Sequence, residues 1–578
     1  MKEKLTWKLI YLTISTNIGS LLYGYDAGII SGSLIFIRKE FEMSPTWQGM
    51  SVSAILFFAW LASTGGGTLA NKFGRKKSVI ISAVIYTIAS GLMAISSEKF
   101  TFLGSRCLLG IAAGLSSSVV PLYIAESSPT SLRGSLVVVT FFFIVFGQLV
   151  ASIVAAVLHQ LLGKNSWRWM LGAACIPSFI HVVTCCFIPE SPRYLMQCSK
   201  NDLAKKSLQD LRGSQDVEEE YRAIKKATEE SRDQKSSFKS IFKQVIAQAC
   251  LRRALILGIL LQTIKQITGG TPVFYYTGSI IEMSGIHDPS TVLWSAALVN
   301  LIFLLCTIVG LYLVEKLGRR PLMLSSLAGC IFALMIISGG FYLTQTNSPP
   351  VTIHSDSSND TCNRFTSCYD CSRTSDCGFC FMESEAGHIL NGTCLRGRSK
   401  GSTSGLCSNG SVLLSDQRFN VVWTSKFCPS EYSKIILAGL AVFLFFYGPG
   451  VGPMPFTINS EIFPLWCRGV CFSVTVGFAW MSNVVMTFSF LPVMDTITQA
   501  GAFAMFAILT AIGLFILYII LPETRGIPLE EIEKVFTPKN MNKDSNFSLS
   551  TSNSSLASSG NVSKDSCHEI PKEESRRF

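Results

Sequence analysis

Two ionisable side chains sit where water is scarce. Asp26 lies inside an apolar stretch near residues 9–30, and Arg106 lies inside another near 101–123, between Gly104 and Gly110. A charge inside an apolar span is costly and is kept where it has a job. Each is a candidate functional group. A second set of charged residues marks the ends of apolar stretches. Glu126-Ser-Ser-Pro129-Thr-Ser-Leu-Arg133-Gly134 and Glu461-Ile-Phe-Pro464-Leu-Trp-Cys-Arg468-Gly469 share one spacing of acid, proline, arginine and glycine. The sequence carries no nucleophile–base constellation, phosphate-binding loop or metal motif. It is not expected to be an enzyme, and no cofactor or metal is implied.

The elements that must position these groups are long and apolar. Hydrophobic residues make up 48% of the 578-residue chain and charged residues 15%, against about 25% charged in soluble proteins. A membrane span needs roughly 20 apolar residues. Twelve candidates lie near 9–30, 48–70, 79–97, 101–123, 135–158, 168–188, 254–280, 291–314, 322–343, 433–455, 470–491 and 499–521. The fold class is therefore an all-α membrane protein whose first partner is the lipid bilayer. The net charge of +11 does not point to nucleic acid, because the basic residues gather in loops on one side. Lys72, Arg75, Lys76 and Lys77 follow the second span; Lys316, Arg319 and Arg320 follow the eighth. Such loops are cytoplasmic, which places both termini inside a multi-pass protein of the plasma membrane.

The chain also repeats its punctuation. Gly74-Arg75-Lys76 after the second span is echoed by Gly318-Arg319-Arg320 after the eighth. Pro189-Glu190-Ser191-Pro192-Arg193 after the sixth is echoed by Pro522-Glu523-Thr524-Arg525-Gly526 after the twelfth. Two six-span halves follow from this, with solute held at the midplane between them. The Glu and Arg residues at these helix ends (Arg75, Glu126, Arg133, Glu315, Arg319, Glu461 and Arg468) are candidates for a cytoplasmic gate. Their ion pairs would latch the halves when the protein faces outward and break when it faces inward. Asn71 stands where the second half keeps the acid Glu315.

The second half contains an insertion. Residues 344–431 hold Cys362, Cys368, Cys371, Cys377, Cys380, Cys394, Cys407 and Cys428, with acceptor sequons at Asn359, Asn391 and Asn409. An even cysteine count beside glycosylation signals marks an extracellular, disulfide-bonded module. The pairs 368–371 and 377–380 have zinc-ligand spacing too, but disulfides are the better reading outside a cell. Residues 189–250 read as short cytoplasmic helices, and 537–578 as a disordered tail rich in serine and asparagine.

Gly24-Tyr25-Asp26, Ser31-Gly32 and the Gly-Arg-Lys, Pro-Glu-Ser-Pro-Arg and Pro-Glu-Thr-Arg-Gly motifs resemble the sugar porter family of the major facilitator superfamily, over about residues 8–536. The cysteine-rich loop and Gly452-Pro-Met-Pro-Phe-Thr-Ile-Asn-Ser-Glu461 resemble most its animal members that carry myo-inositol with protons. The resemblance implies six units: an N-terminal half at 1–188, a linker at 189–250, helices at 251–343, the module at 344–431, helices at 432–536 and a tail at 537–578. It further implies a monomer whose partners are protons and a small polar solute.

By that resemblance Asp26 and Arg106 form the proton-coupling pair, and Gln148, Gln266, Trp480 and Asn483 match polyol-binding positions. Amides hydrogen-bond hydroxyls, and an indole covers an apolar ring face. Elsewhere the pocket departs from the family. Lys265 and Thr271 stand where binding amides are usual, Phe456 replaces a tryptophan, Phe141 a glutamine, and Asn300 lies one turn from the usual asparagine, near Phe303. Lys265 could be neutral, recruit an anionic solute, or snorkel away. The reading is proton-coupled symport of myo-inositol or a related polyol. The competing readings are a passive hexose uniporter and a non-transporting sensor or adhesion receptor.

Overall fold

Apolar runs closed by capping residues become the helices of the computed structural model. It describes residues 6–129, 132–233, 238–353, 361–374, 376–384, 389–398, 401–402, 407, 419–424 and 427–524. The first half is α1 (Trp7–Glu40), α2 (Pro45–Phe73), α3 (Arg75–Ala94), α4 (Lys99–Ser127), α5 (Arg133–Leu162), α6 (Ser166–Gly172) and α7 (Cys175–Cys186). Thr6 and Ser44 cap α1 and α2 by accepting from the backbone N–H groups of Leu9 and Trp47, three residues on. Four helices follow, α8 (Pro192–Gln197), α9 (Asn201–Arg212), α10 (Glu218–Asp233) and α11 (Phe238–Ala247). Helix α9 docks on the first half through the Lys8–Asp210 ion pair and an Arg212 bond to the Ser127 carbonyl at 2.9 Å. The end of the bundle that meets these helices is called the linker end below.

The second half begins with α12 (Ala249–Ile267) and α13 (Gly270–Met283), then α14 (Pro289–Leu317) and α15 (Arg319–Thr346). It closes with α17 (Ser433–Tyr447), α18 (Met454–Glu461), α19 (Leu465–Ile497) and α20 (Gln499–Ile520). Among the described residues ten spans are long and apolar enough to cross a membrane unaided. The other two expected spans are interrupted. The seventh breaks at Thr268-Gly269, where Gly269 takes φ +85°. The tenth stops at Tyr447 because Gly448, Pro449, Gly450, Gly452 and Pro453 follow; prolines supply no N–H and glycines resist helix. Breaks of this kind persist at membrane depth where protein covers the freed backbone groups.

Helices within a half approach closely where a side chain would not fit. A Cβ on Gly114 of α4 would stand 2.8 Å from the Ala59 Cα of α2, and one on Gly24 of α1 would stand 2.9 Å from the Ile144 Cα of α5. With no water to expel between helices, such contact is what holds membrane helices together.

The inserted segment pairs its strands in the order β3-β2-β1-β4, with β1 at Cys377–Ser384, β2 at Ile389–Arg398, β3 at Gly401–Ser402 and β4 at Phe419–Thr424. A short helix, α16 (Cys368–Arg373), precedes them. All eight cysteines are joined, as Cys362–Cys377, Cys368–Cys428, Cys371–Cys394 and Cys380–Cys407. Neither C-x-x-C pair closes on itself or offers a zinc site. With Phe379 and Phe381, the first three of these bridges form a core of their own. The bundle end beneath them is the module end. Asn359, Asn409 and the 537–578 tail lie outside the described residues, as does the side chain of Asn391.

Candidate functional site

The repeated motifs build the same device twice. Gly74 and Gly318 both turn with positive φ, +95° and +91°, and aim the first N–H groups of α3 and α15 at a carboxylate. Glu190 accepts from the backbone N–H of Arg75 and Lys76 at 3.0 and 3.1 Å; Glu523 accepts from Arg319 and Arg320, both at 3.0 Å. A carboxylate there answers the unpaired N–H groups and the positive end of the helix dipole. Arg75 then pairs with Glu126 at 2.7 Å, and Arg319 with Glu461 at 3.0 Å. Ser191 and Thr524 donate to those two glutamates in turn. Each pair joins helices of one half, so in this conformation these bonds are clasps within a half. The reason is the sharp glycine turn, which keeps each arginine beside the helix that follows it in its own repeat. Arg468 donates to the Phe463 carbonyl at 3.0 Å. The side chains of Arg133 and Glu315 lie outside the described residues.

What joins the halves lies toward the middle and the module end. Arg38 at the end of α1 pairs with Glu282 at the end of α13, each side chain about a tenth exposed. Ser31 accepts from the Gly278 N–H at 2.8 Å, and Asn300 donates to Ser152 at 2.7 Å. Arg38 and Glu282 were not singled out from the sequence. The available signal was an acid near the end of an apolar run and an arginine on the side where basic residues are scarce.

Asp26 and Arg106 meet as an ion pair with both side chains buried, between α1 and α4. The Arg106 Nε–H also donates to the Ser51 carbonyl of α2 at 3.0 Å. Contact is through one nitrogen and one oxygen. The other carboxylate oxygen of Asp26 and the other terminal nitrogen of Arg106 have no hydrogen-bond partner among the described residues. A two-point fork would be the tighter grip; this pair holds with one bond.

One turn before Asp26, Tyr23 meets Trp480 of α19 edge to face, centroids 6.0 Å apart. Lys265, on the last turn of α12, is buried and does not snorkel. Its ammonium donates to the Gly452 carbonyl at 2.7 Å and lies 4.5 Å from the Phe456 ring centre and 5.9 Å from that of Phe141. Thr271 donates to Gln266 Oε1 at 2.8 Å, across the break in the seventh span. Asn483 accepts from Thr487 on its own helix at 3.3 Å. Gln148 is buried, and its Oε1 has no partner among the described residues. Thus the structure brings together Asp26 with Arg106, Lys265 with Phe456, and Gln266 with Thr271.

Residues 12–358 and 410–536 match the sugar (and other) transporter family, the gap falling inside the disulfide module. The chain belongs to that family. Among its relatives, the human proton myo-inositol cotransporter is 37% identical over 91% of this chain and 81% of its own length. Probable inositol transporter 2 of Arabidopsis thaliana is 32% identical over 93% of each. The fold matches the E. coli xylose transporter XylE in a partially occluded inward open conformation, with a TM-score of 0.66 and 20% identity over 90% of this chain and 100% of that one. As a member of that family with this fold, the chain is a multi-pass membrane protein with two helical halves. The paired clasps are the three-dimensional form of its internal repeat.

Proposed function

We propose that the chain is a secondary transporter that couples movement of a polyol or sugar to protons by alternating access. The observation that carries this is the buried, one-bond pair of Asp26 and Arg106, set one turn from the Tyr23–Trp480 contact that bridges the halves. A proton arriving at Asp26 cancels its charge and weakens the hold on Arg106, which keeps its bond to the Ser51 carbonyl. Helices α1 and α4 can then shift relative to one another. Without the proton, separating the pair would leave two buried charges unpaired, at a cost of about 3–5 kcal/mol. A passive uniporter has no use for that cost. Relatives named as proton myo-inositol cotransporters support the same reading and point to an inositol-sized solute.

Gln148, Lys265, Gln266, Thr271, Phe456, Trp480 and Asn483 face the solute in this reading. The linker end is cytoplasmic, with both termini, and the module is extracellular at the plasma membrane and glycosylated at its sequons. Each monomer holds a complete site. The conformation is the one closed at the module end, since the bonds between halves gather there.

Uptake of labelled myo-inositol and glucose into proteoliposomes tests the proposal. An inward proton gradient is expected to drive accumulation above equilibrium. Asp26→Asn, a mimic of the protonated acid, is expected to abolish accumulation while solute exchange persists. Accumulation that ignores the gradient would refute the coupling, and ligand binding with no flux would make the chain a sensor.

A further inference from the structure

Lys265 is a buried lysine on the last turn of α12. Its side chain is 8% exposed, yet none of the ion pairs among the described residues includes it. The buried carboxylate of Asp26 already spends its charge on Arg106. An ammonium has three N–H donors, and the Gly452 carbonyl at 2.7 Å takes one. The Phe456 and Phe141 rings, at 4.5 and 5.9 Å, soften the charge without neutralising it. A buried charge left this way is costly unless something pairs with it.

The surroundings of Lys265 draw on both halves. Phe141 comes from α5 of the first half; Lys265, Gly452 and Phe456 come from the second. Two helical turns along the same face of α5 from Phe141 lies Gln148, 5% exposed, whose Oε1 has no partner among the described residues. Further along α5, Ser152 is bonded to Asn300 of α14, so this face of α5 does look toward the second half. A free amide oxygen accepts a hydroxyl proton. A free ammonium, one carbonyl aside, accepts an anion.

We propose that the solute of this site is a polyol or sugar that bears a carboxylate, with Lys265 as its counter-ion and Gln148 as an acceptor for one of its hydroxyls. This rests on the transport reading above and narrows it to an acidic solute. It also alters the charge that moves. One proton with a monocarboxylate carries no net charge, whereas one proton with a neutral polyol carries one positive charge.

The test is binding to the purified full chain at constant ionic strength, read by tryptophan fluorescence. Probes are sodium glucuronate and gluconate against glucose and myo-inositol, with acetate as the control for charge alone. A charge-assisted bond made in a buried site is expected to favour the sugar acids about tenfold to a hundredfold over their neutral counterparts. Lys265→Gln should erase that preference, and Lys265→Arg should keep most of it. A preference near one in the parent chain, or one unchanged in Lys265→Gln, overturns the proposal. So does acetate competing as well as glucuronate. Should Lys265→Gln fail to fold, the parent preference and the Lys265→Arg value decide.

Currents in planar bilayers separate this inference from the one beneath it. Gradient-driven myo-inositol current with no glucuronate binding refutes the acidic solute and leaves proton coupling standing. Tight glucuronate binding with uptake indifferent to the gradient does the reverse. Electroneutral, gradient-driven glucuronate uptake supports both.

Discussion

Replacing Glu282 with Gln should open the module end. Glu282 and Arg38 form an ion pair between the two halves, with each side chain about a tenth exposed. Phe427 of the module segment lies 5.7 Å from the Arg38 guanidinium and shields it further. Removing one partner of a fully buried pair costs about 3–5 kcal/mol, while exposed pairs are worth about 0–1 kcal/mol. This pair sits near the buried limit, but glutamine keeps the shape and one hydrogen bond to Arg38. A loss of about 2 kcal/mol follows. It falls only on the state in which the halves touch at this end, because alternating access separates Arg38 from Glu282 in the other. At about 1.4 kcal/mol per factor of ten, the equilibrium moves about thirtyfold toward opening at the module end. The assay is the rate at which an impermeant maleimide reaches Ser31→Cys from the module side, since Ser31 bonds to Gly278 in the same contact. Glu282→Gln is expected to raise that rate about thirtyfold, and the exchanged pair Arg38→Glu with Glu282→Arg to restore most of the closure. An unchanged rate in Glu282→Gln, or an exchanged pair more open than either single variant, would refute the clasp.

Two further outcomes follow from the same geometry. His287, in the loop between α13 and α14, lies against Phe381 of the module, ring centres 5.8 Å apart. Burial pulls its imidazole down to about 4, with Glu282 opposing and Lys39 assisting. The folded contact therefore holds fewer protons than the free loop, so docking is strongest above about pH 6.5 and weakens as pH falls toward 4. Protection of amides 284–288 against hydrogen exchange, relative to the free-chain rate at each pH, should fall over that window in the parent and not in His287→Phe; identical profiles would dismiss the histidine. At the linker end, Gly318→Val forces a β-branched residue to φ +91° and crowds Glu523. A cost of about 1–3 kcal/mol is expected, seen as a lower melting temperature in detergent, with Glu523→Ala lowering it similarly; two unshifted melts would mean that the clasp adds nothing to stability.

The sequence by itself determined the architecture. Twelve apolar stretches, a basic side and motifs repeated in both halves are local signals, because span length and topology depend on residues that are near neighbours in the chain. The same holds for the disulfide-rich insertion as a unit, though not for its bridges. Cys368 bonds to Cys428, 60 residues on, and not to Cys371; only the folded sheet brings those sulfurs together. Tertiary structure also decided what each charge does. Asp26 and Arg106 are 80 residues apart and were expected to meet from the family resemblance. Nothing local indicated that Arg38 would find Glu282 across 244 residues. The glutamates were expected to latch one half to the other when the protein faces outward; in this conformation the turns at Gly74 and Gly318 close each clasp inside its own repeat. Lys265 could have reached water or bent inward. Its direction was set by the Gly269 break, which ends α12 one turn later, and by the broken tenth span, which leaves the Gly452 carbonyl, 187 residues away, free to accept from it. A side chain's identity is written in the sequence, but its partner depends on which distant backbone groups the helix breaks leave unbonded.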